Sequence, residues 1–250
     1  MKKIFVCGES YIGYTVHVKG ADSMTTTGYF ENVGWLKHAL EEAGYEVTYM
    51  PSHEALAHFP DTVEKLRQYD LVILSDVGAN TLMMTQQSFR NSLPAPDRCK
   101  AIRSYVEEGG SFIMIGGFMS FTGIEGKACY GVTPIADILP VRLLSYDDRV
   151  ETSEGSVPKV LVPDHPIFRG MPEDWSYFIG YNKTLADETR GTVLATIQGD
   201  PLIAVGEFGK GRSAVFTSDC APHWAPRSFL DSPAYLTLWK NMADWATRSV

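Results

Sequence analysis

The stretch Ser111 to Gly123, SFIMIGGFMSFTG, constrains the fold more than any other part of the chain. Phe112 to Ile115 is a short apolar run without helical periodicity. Glycine pairs stand on both sides, which reads as a buried central strand of a parallel sheet. Glu107 and Glu108 followed by Gly109 and Gly110 mark a helix end before it. Gly116 and Gly117 allow a sharp turn and a close approach of backbone to whatever lies above. Phe118 to Ser120 then fall at the carboxyl end of the strand, where ligands bind in open α/β sheets.

The flanking sequence extends this pattern. Lys2 to Cys7, Tyr45 to Met50 and Leu71 to Leu74 read as further strands. Helices are expected over about 31–43, 61–69 and 98–108, the second capped by Asp61. This alternation predicts an α/β fold with a doubly wound, mostly parallel sheet. The segments 11–30 and 79–96 read as irregular, the first as an ordered cover over a site. From about 124 to 200 the sequence becomes β-rich, with strands expected at 141–144, 157–162, 175–181 and 192–196. Strands 202–208 and 212–217 join through a glycine-bearing turn at Gly209–Gly211. A last helix begins at Pro233 behind a Ser232 cap, with Leu236, Trp239, Met242 and Ala243 inward. The reading is one domain over 1–250 with a β-rich insertion or extension over about 124–200.

Charge and cysteine content narrow the function. A net charge of −8 and a pI near 5.3 argue against nucleic acid as a partner. No apolar run approaches the ~18 residues of a membrane span. The amino terminus reads as strand rather than leader, and Cys7, Cys99, Cys129 and Cys220 form no CxxC pair. A reducing cytoplasm follows, without zinc cluster or disulfide framework. No P-loop or GxGxxG supports a nucleotide, so no cofactor and no metal are expected.

The strand ends collect a set of polar residues: Glu9 and Ser10 after the first strand, Asp76 after the third, Ser120 after the glycine turn, and Asp219, Cys220 and His223 after the last. Topology alone puts these on one sheet edge, a site for a small-molecule ligand. Glu9 can hold a substrate amine or be solvated. Asp219 can cap a turn or contact a ligand. Ser120 reads as an N-cap or as a nucleophile with His223 as base. Cys220 beside His223 reads as turn architecture or as an activated thiol.

The runs Gly109–Gly123, Gly206–Arg212 and Asp219–Trp224 resemble the class I glutamine amidotransferase-like superfamily, of flavodoxin-like fold. Within it, they resemble a branch of amidotransferase-like cytoplasmic proteins of unknown function. The resemblance implies a nucleophile elbow, Gly-x-Cys-x-Gly, at the strand end. With Gly116 on the first motif glycine, Phe118 takes the cysteine position and Ser120 the last glycine. The family histidine follows a late strand, where this chain has Ser218 and Asp219, with His223 beyond. Three readings stand. The first is a catalytically divergent member, with Gly116, Gly117, Phe118 and Ser120 as the floor of the cleft and Asp219 and His223 as polar contacts. In it, amides after the elbow receive an anion at a helix N-terminus. The second is a hydrolase or amidotransferase with a relocated nucleophile, Cys220 or Ser120 with His223. The third is a non-enzymatic assembly subunit, with the β-rich segment 124–200 as the interface. A homo-oligomer fits this class.

Overall fold

The computed structural model describes residues 1–250. Its strands, in chain order, are β1 (Lys3–Gly8), β2 (Ser10–Lys19), β3 (Asp22–Glu31), β4 (Glu46–Met50), β5 (Leu71–Ser75), β6 (Ser111–Ile115) and β7 (Val141–Leu143). The rest are β8 (Arg149–Ser156), β9 (Lys159–Val160), β10 (Phe178–Asn182), β11 (Thr184–Ala186), β12 (Thr192–Ile197), β13 (Asp200–Phe208) and β14 (Gly211–Phe216). Eight of them make a mixed α/β fold's central sheet, in the order β4-β1-β5-β6-β14-β13-β12-β9. The first five run parallel. The last three add antiparallel neighbours.

Side-chain alternation along the parallel strands makes two cores. Ile4, Val6, Ile73, Ile113, Ile115 and Phe216 face the helices Gly34–Glu42 and Pro233–Ala246. Phe5, Cys7, Val72, Leu74, Phe112, Met114 and Val215 face the opposite way, toward the helices Ser52–His58 and Arg98–Glu107. Both β5 and β6 are buried along their whole length. That is why neither shows polar alternation in sequence. No helix is long and apolar enough to cross a membrane.

Register decides where the site sits. Gly8 pairs with Ser75, Ser75 with Ile115, and Ile115 with Phe216. The residues that follow, Glu9, Asp76, Gly116 and Thr217, therefore leave the sheet side by side on one edge. The chain runs from β1 outward to β4 and then returns across β1 to β5. The β1/β5 boundary is thus where the strand order changes direction, the kind of place that ligands take in open α/β sheets.

Several expected elements differ. Residues 11–30, expected as an irregular segment, are regular: β2 and β3 form a long hairpin, Ser10 paired with Glu31 through Lys19 with Asp22. The β-branched and aromatic content of the segment supports extended backbone, while its glycines suggested a loop. The segment 79–96 contains two short helices, Ala79–Met83 and Gln86–Asn91. Thr62, rather than Asp61, caps the short helix Val63–Leu66. The strand expected over 175–181 begins only at Phe178, and that over 157–162 shrinks to β9. Leu236 is 37% exposed, and Leu238 takes the inner position. In the second half β8 pairs with β10 and β7 with β11, outside the central sheet.

Candidate functional site

Gly116 and Gly117 are required by what crowds the strand end. A Cβ on Gly116 would stand 2.2 Å from the Thr217 carbonyl oxygen. Gly117 has φ +146°, and a Cβ there would meet Asp76 Oδ1 at 2.8 Å. The turn presents Phe118, whose ring centroid lies 4.2 Å from that of His223, edge to face. Trp224 stands 5.8 Å from the same ring, and the Arg149 guanidinium 5.5 Å from its centroid. Phe118, His223, Trp224 and Arg149 therefore cluster at the strand end.

Several amides around the elbow already have partners. Gly117 N–H donates to Asn182 Oδ1 (2.9 Å) and Met119 N–H to Asp76 Oδ1 (2.7 Å). Thr122 and Gly123 N–H donate to the two oxygens of Asp148, at 2.8 and 3.0 Å. Ser120 N–H turns back to the Gly117 carbonyl. The helix expected to begin here is absent; only a 3₁₀ turn, Ile124–Gly126, follows. Ser120 therefore caps no helix. Its Oγ accepts from Asp76 N–H at 3.0 Å, which ties the elbow to the end of β5. The anion expected at a helix N-terminus is replaced by the protein's own carboxylates.

Next to the elbow lies a buried group of acids. Glu9 (φ 49°) and Asp76 (φ 45°) both adopt left-handed backbone at strand ends. Such strain in residues other than glycine persists only where the surroundings enforce it. Here Glu9 N–H donates to the Ser75 carbonyl, and the Glu9 carbonyl accepts from Asn32 N–H. Ser75 Oγ donates to the Glu9 carboxyl. The Cys220 thiol is 3.5 Å from the same hydroxyl. Glu9, Asp219 and Cys220 each bring a ligand atom within 4.8 Å of the others, and all three are buried. They are the set that could hold a cation, and their spacing of more than 200 residues concealed it.

Electrostatics follow from this burial. Loss of solvent and the nearby Asp76 push the Glu9 carboxyl up to about 8. Burial raises Asp76, against the opposing Met119 amide bond. Asp219 rises well above the carboxylate range through burial and then through Glu9 and Asp76. The Cys220 thiol is pushed well up by burial, then by Glu9 and Asp219. Its neighbours favour the protonated thiol. His223 is lowered by burial. Its Nδ1 lies 3.8 Å from Asp219 Oδ2, and its ring stacks on Trp224 at 5.0 Å. Neither Cys220 Sγ nor Ser120 Oγ has the imidazole as a hydrogen-bond partner. Ser10 faces away from the acids, and its Oγ accepts from Ser52 N–H at the start of the following helix.

Some residues of the site escape a sequence reading. Asp148 is 1% exposed, and besides the two elbow amides it accepts from Asn182 Nδ2 at 2.8 Å. Glu151 accepts from Trp224 Nε1 at 3.1 Å. Ser75 bridges Glu9 and Cys220. The charged run Asp147-Asp148-Arg149 was the available signal, but nothing local aims it at residue 117.

A fold of this kind has known counterparts. The Cytoplasmic Protein STM3548 from Salmonella typhimurium is 39% identical over 98% of this chain and 99% of its own, with TM-score 0.94. The Cytoplasmic Protein STM1381 from Salmonella typhimurium LT2 is 41% identical over the same shares, also with TM-score 0.94. A ThuA-like protein from Parabacteroides merdae shares the fold at 13% identity, TM-score 0.59, over 99% of this chain and 90% of that one. No curated protein matches the sequence. The GATase1_like family model, described as "Putative glutamine amidotransferase", matches residues 3–248, and the chain belongs to that family.

Proposed function

We propose that this is a catalytically divergent amidotransferase-like protein, whose strand-end cleft takes a small polar metabolite bearing an amine. Glu9, Asp76 and Asp219 receive the ammonium group. Phe118, His223 and Trp224 supply the apolar wall, and Arg149 stands at the aromatic rim. The observation that carries this reading is the elbow itself. Phenylalanine offers no atom to attack an amide carbon. Asp76 moreover occupies the Met119 amide, the donor next to Phe118 that an oxyanion would need. A relocated nucleophile is less well supported, because Cys220 is hydrogen-bonded among acids and apart from the imidazole.

Proton linkage gives the reading a signature. The Glu9 carboxyl, raised by burial to about 8, holds its proton near neutrality, and an ammonium group favours the ionised form of each acid. Binding therefore releases protons and tightens as pH rises toward the Glu9 value of about 8. Calorimetric titration with a panel of primary amines and their N-acetyl counterparts tests this. The expected result is saturable binding of an amine, absent for its acetylated form, stronger at pH 8 than at pH 6 and weakened at least tenfold by Asp219→Asn. Acetylated and free amines binding alike, or no amine binding, contradicts it.

A further inference from the structure

The β2–β3 hairpin leaves the body of the protein at the site and then packs on little but itself. Its root is fixed: Asn32 N–H holds the Glu9 carbonyl, Tyr11 stacks on Phe30 at 5.0 Å, and Tyr29 meets His53 edge to face. Beyond the root, the two ten-residue strands pair without a bulge. At about 3.3 Å per residue they reach about 33 Å. Register puts Ile12, Tyr14, Val16 and Val18 on one face with Tyr29, Thr27, Thr25 and Ser23. Tyr14 is 74% exposed and Val18 72%. A two-stranded hairpin alone in water is marginally stable, and a contiguous exposed apolar face marks a contact surface.

Charge indicates what covers it. The chain carries a net charge of −8, yet residues 11–18 and 23–30 contain no Asp, Glu, Lys or Arg. Two copies of so acidic a chain repel wherever charged surfaces meet, and this arm is the large exposed element they can share without that cost. Its size also suits the role. Its two faces, each about 33 by 10 Å, together give roughly 660 Å², and the two outer strand edges add unpaired backbone groups, against about 800 Å² per partner in a stable pair. We infer that the arm is an interface between copies of this chain, both of its uncharged faces and its open strand edges engaging a second copy.

The test is the mass in solution of the full chain. At about 100 μM, light scattering with size exclusion is expected to give at least twice the 27.7 kDa of one copy. The double variant Tyr14→Glu, Val16→Glu is expected to run as one copy with an unchanged circular dichroism spectrum. A wild-type monomer, including one that captures some other protein, overturns the inference, and so does an assembly that the double variant leaves intact. Should the variant precipitate, hydrogen exchange on the wild type decides. Arm amides over 12–18 and 23–29 are expected to exchange at least tenfold more slowly at about 100 μM than at about 1 μM, and equal rates at both overturn it.

Discussion

Glu9 and Ser10 are neighbours in sequence, but the regions they open are inverted images of each other. On the Glu9 side, carboxyls are buried at the strand ends. On the Ser10 side, tyrosine, isoleucine and valine project into solvent along the hairpin. Each reverses the usual partition of charged and apolar groups. The acids are tolerated because burial favours the protonated form, most plainly at Glu9, and Ser75 and backbone amides satisfy them. The hairpin is tolerated because backbone pairing is complete along its length. The contrast teaches that a fold can carry a local cost where a ligand or a second copy relieves it.

Glycine substitutions separate the two regions most sharply. At Gly8, φ is +115° and a Cβ would lie 1.7 Å from the Ser75 carbonyl oxygen. Gly8→Ala is expected to cost about 4 kcal/mol or more in urea denaturation, since backbone has no room to yield. Gly20, at the hairpin tip with φ +65°, has nothing within 4 Å. Gly20→Ala is expected to cost only about 1–2 kcal/mol, the price of left-handed backbone. Equal costs would break the comparison. Next in size is Asn182→Ala, which removes the group joining Gly117 to Asp148. With a buried carboxyl left short of a donor, a loss of about 3 kcal/mol is expected by the same measurement.

A pH series sharpens the electrostatic side. The folded Glu9 pKa of about 8 lies above its ordinary value of 4.5. The native state therefore keeps a proton that the unfolded chain has released. Stability from this group is present below pH 4.5 and is lost as pH rises to about 8, with a slope of up to about 1.4 kcal/mol per unit. Glu9→Gln is expected to melt with wild type near pH 4.5 and above it near pH 8. Parallel pH profiles would contradict the buried, protonated carboxyl. The smallest effect is expected on the arm, where Thr27→Ala should change the stability of a single copy by no more than about 0.5 kcal/mol.

How much of this could be read from the chain depended on whether the signal was local. The apolar runs 71–74 and 112–115 and the glycines at 116–117 marked the parallel strands and the elbow, because burial on both faces leaves a continuous pattern. Topology then gathered Glu9, Asp76, Ser120, Asp219 and Cys220 at one edge. The role of Ser120 was not legible, since its cap position is filled by an Asp76 amide from another strand. Asp148 and Asn182 were not legible either, because their purpose appears only when β8 and β10 pair beside β6. The hairpin was misread as a loop because Gly13, Gly20, Gly28 and the threonine run 25–27 outweighed the alternation of Ile12, Tyr14, Val16 and Val18 with Gly13, Thr15 and His17.

The central claim is that the elbow carries no nucleophile and the one thiol in the cleft is not activated. Intact mass spectrometry after incubation with a chloroketone analogue of glutamine at neutral pH tests it directly. The account predicts an unchanged mass. A stoichiometric adduct mapped to Cys220 would contradict it.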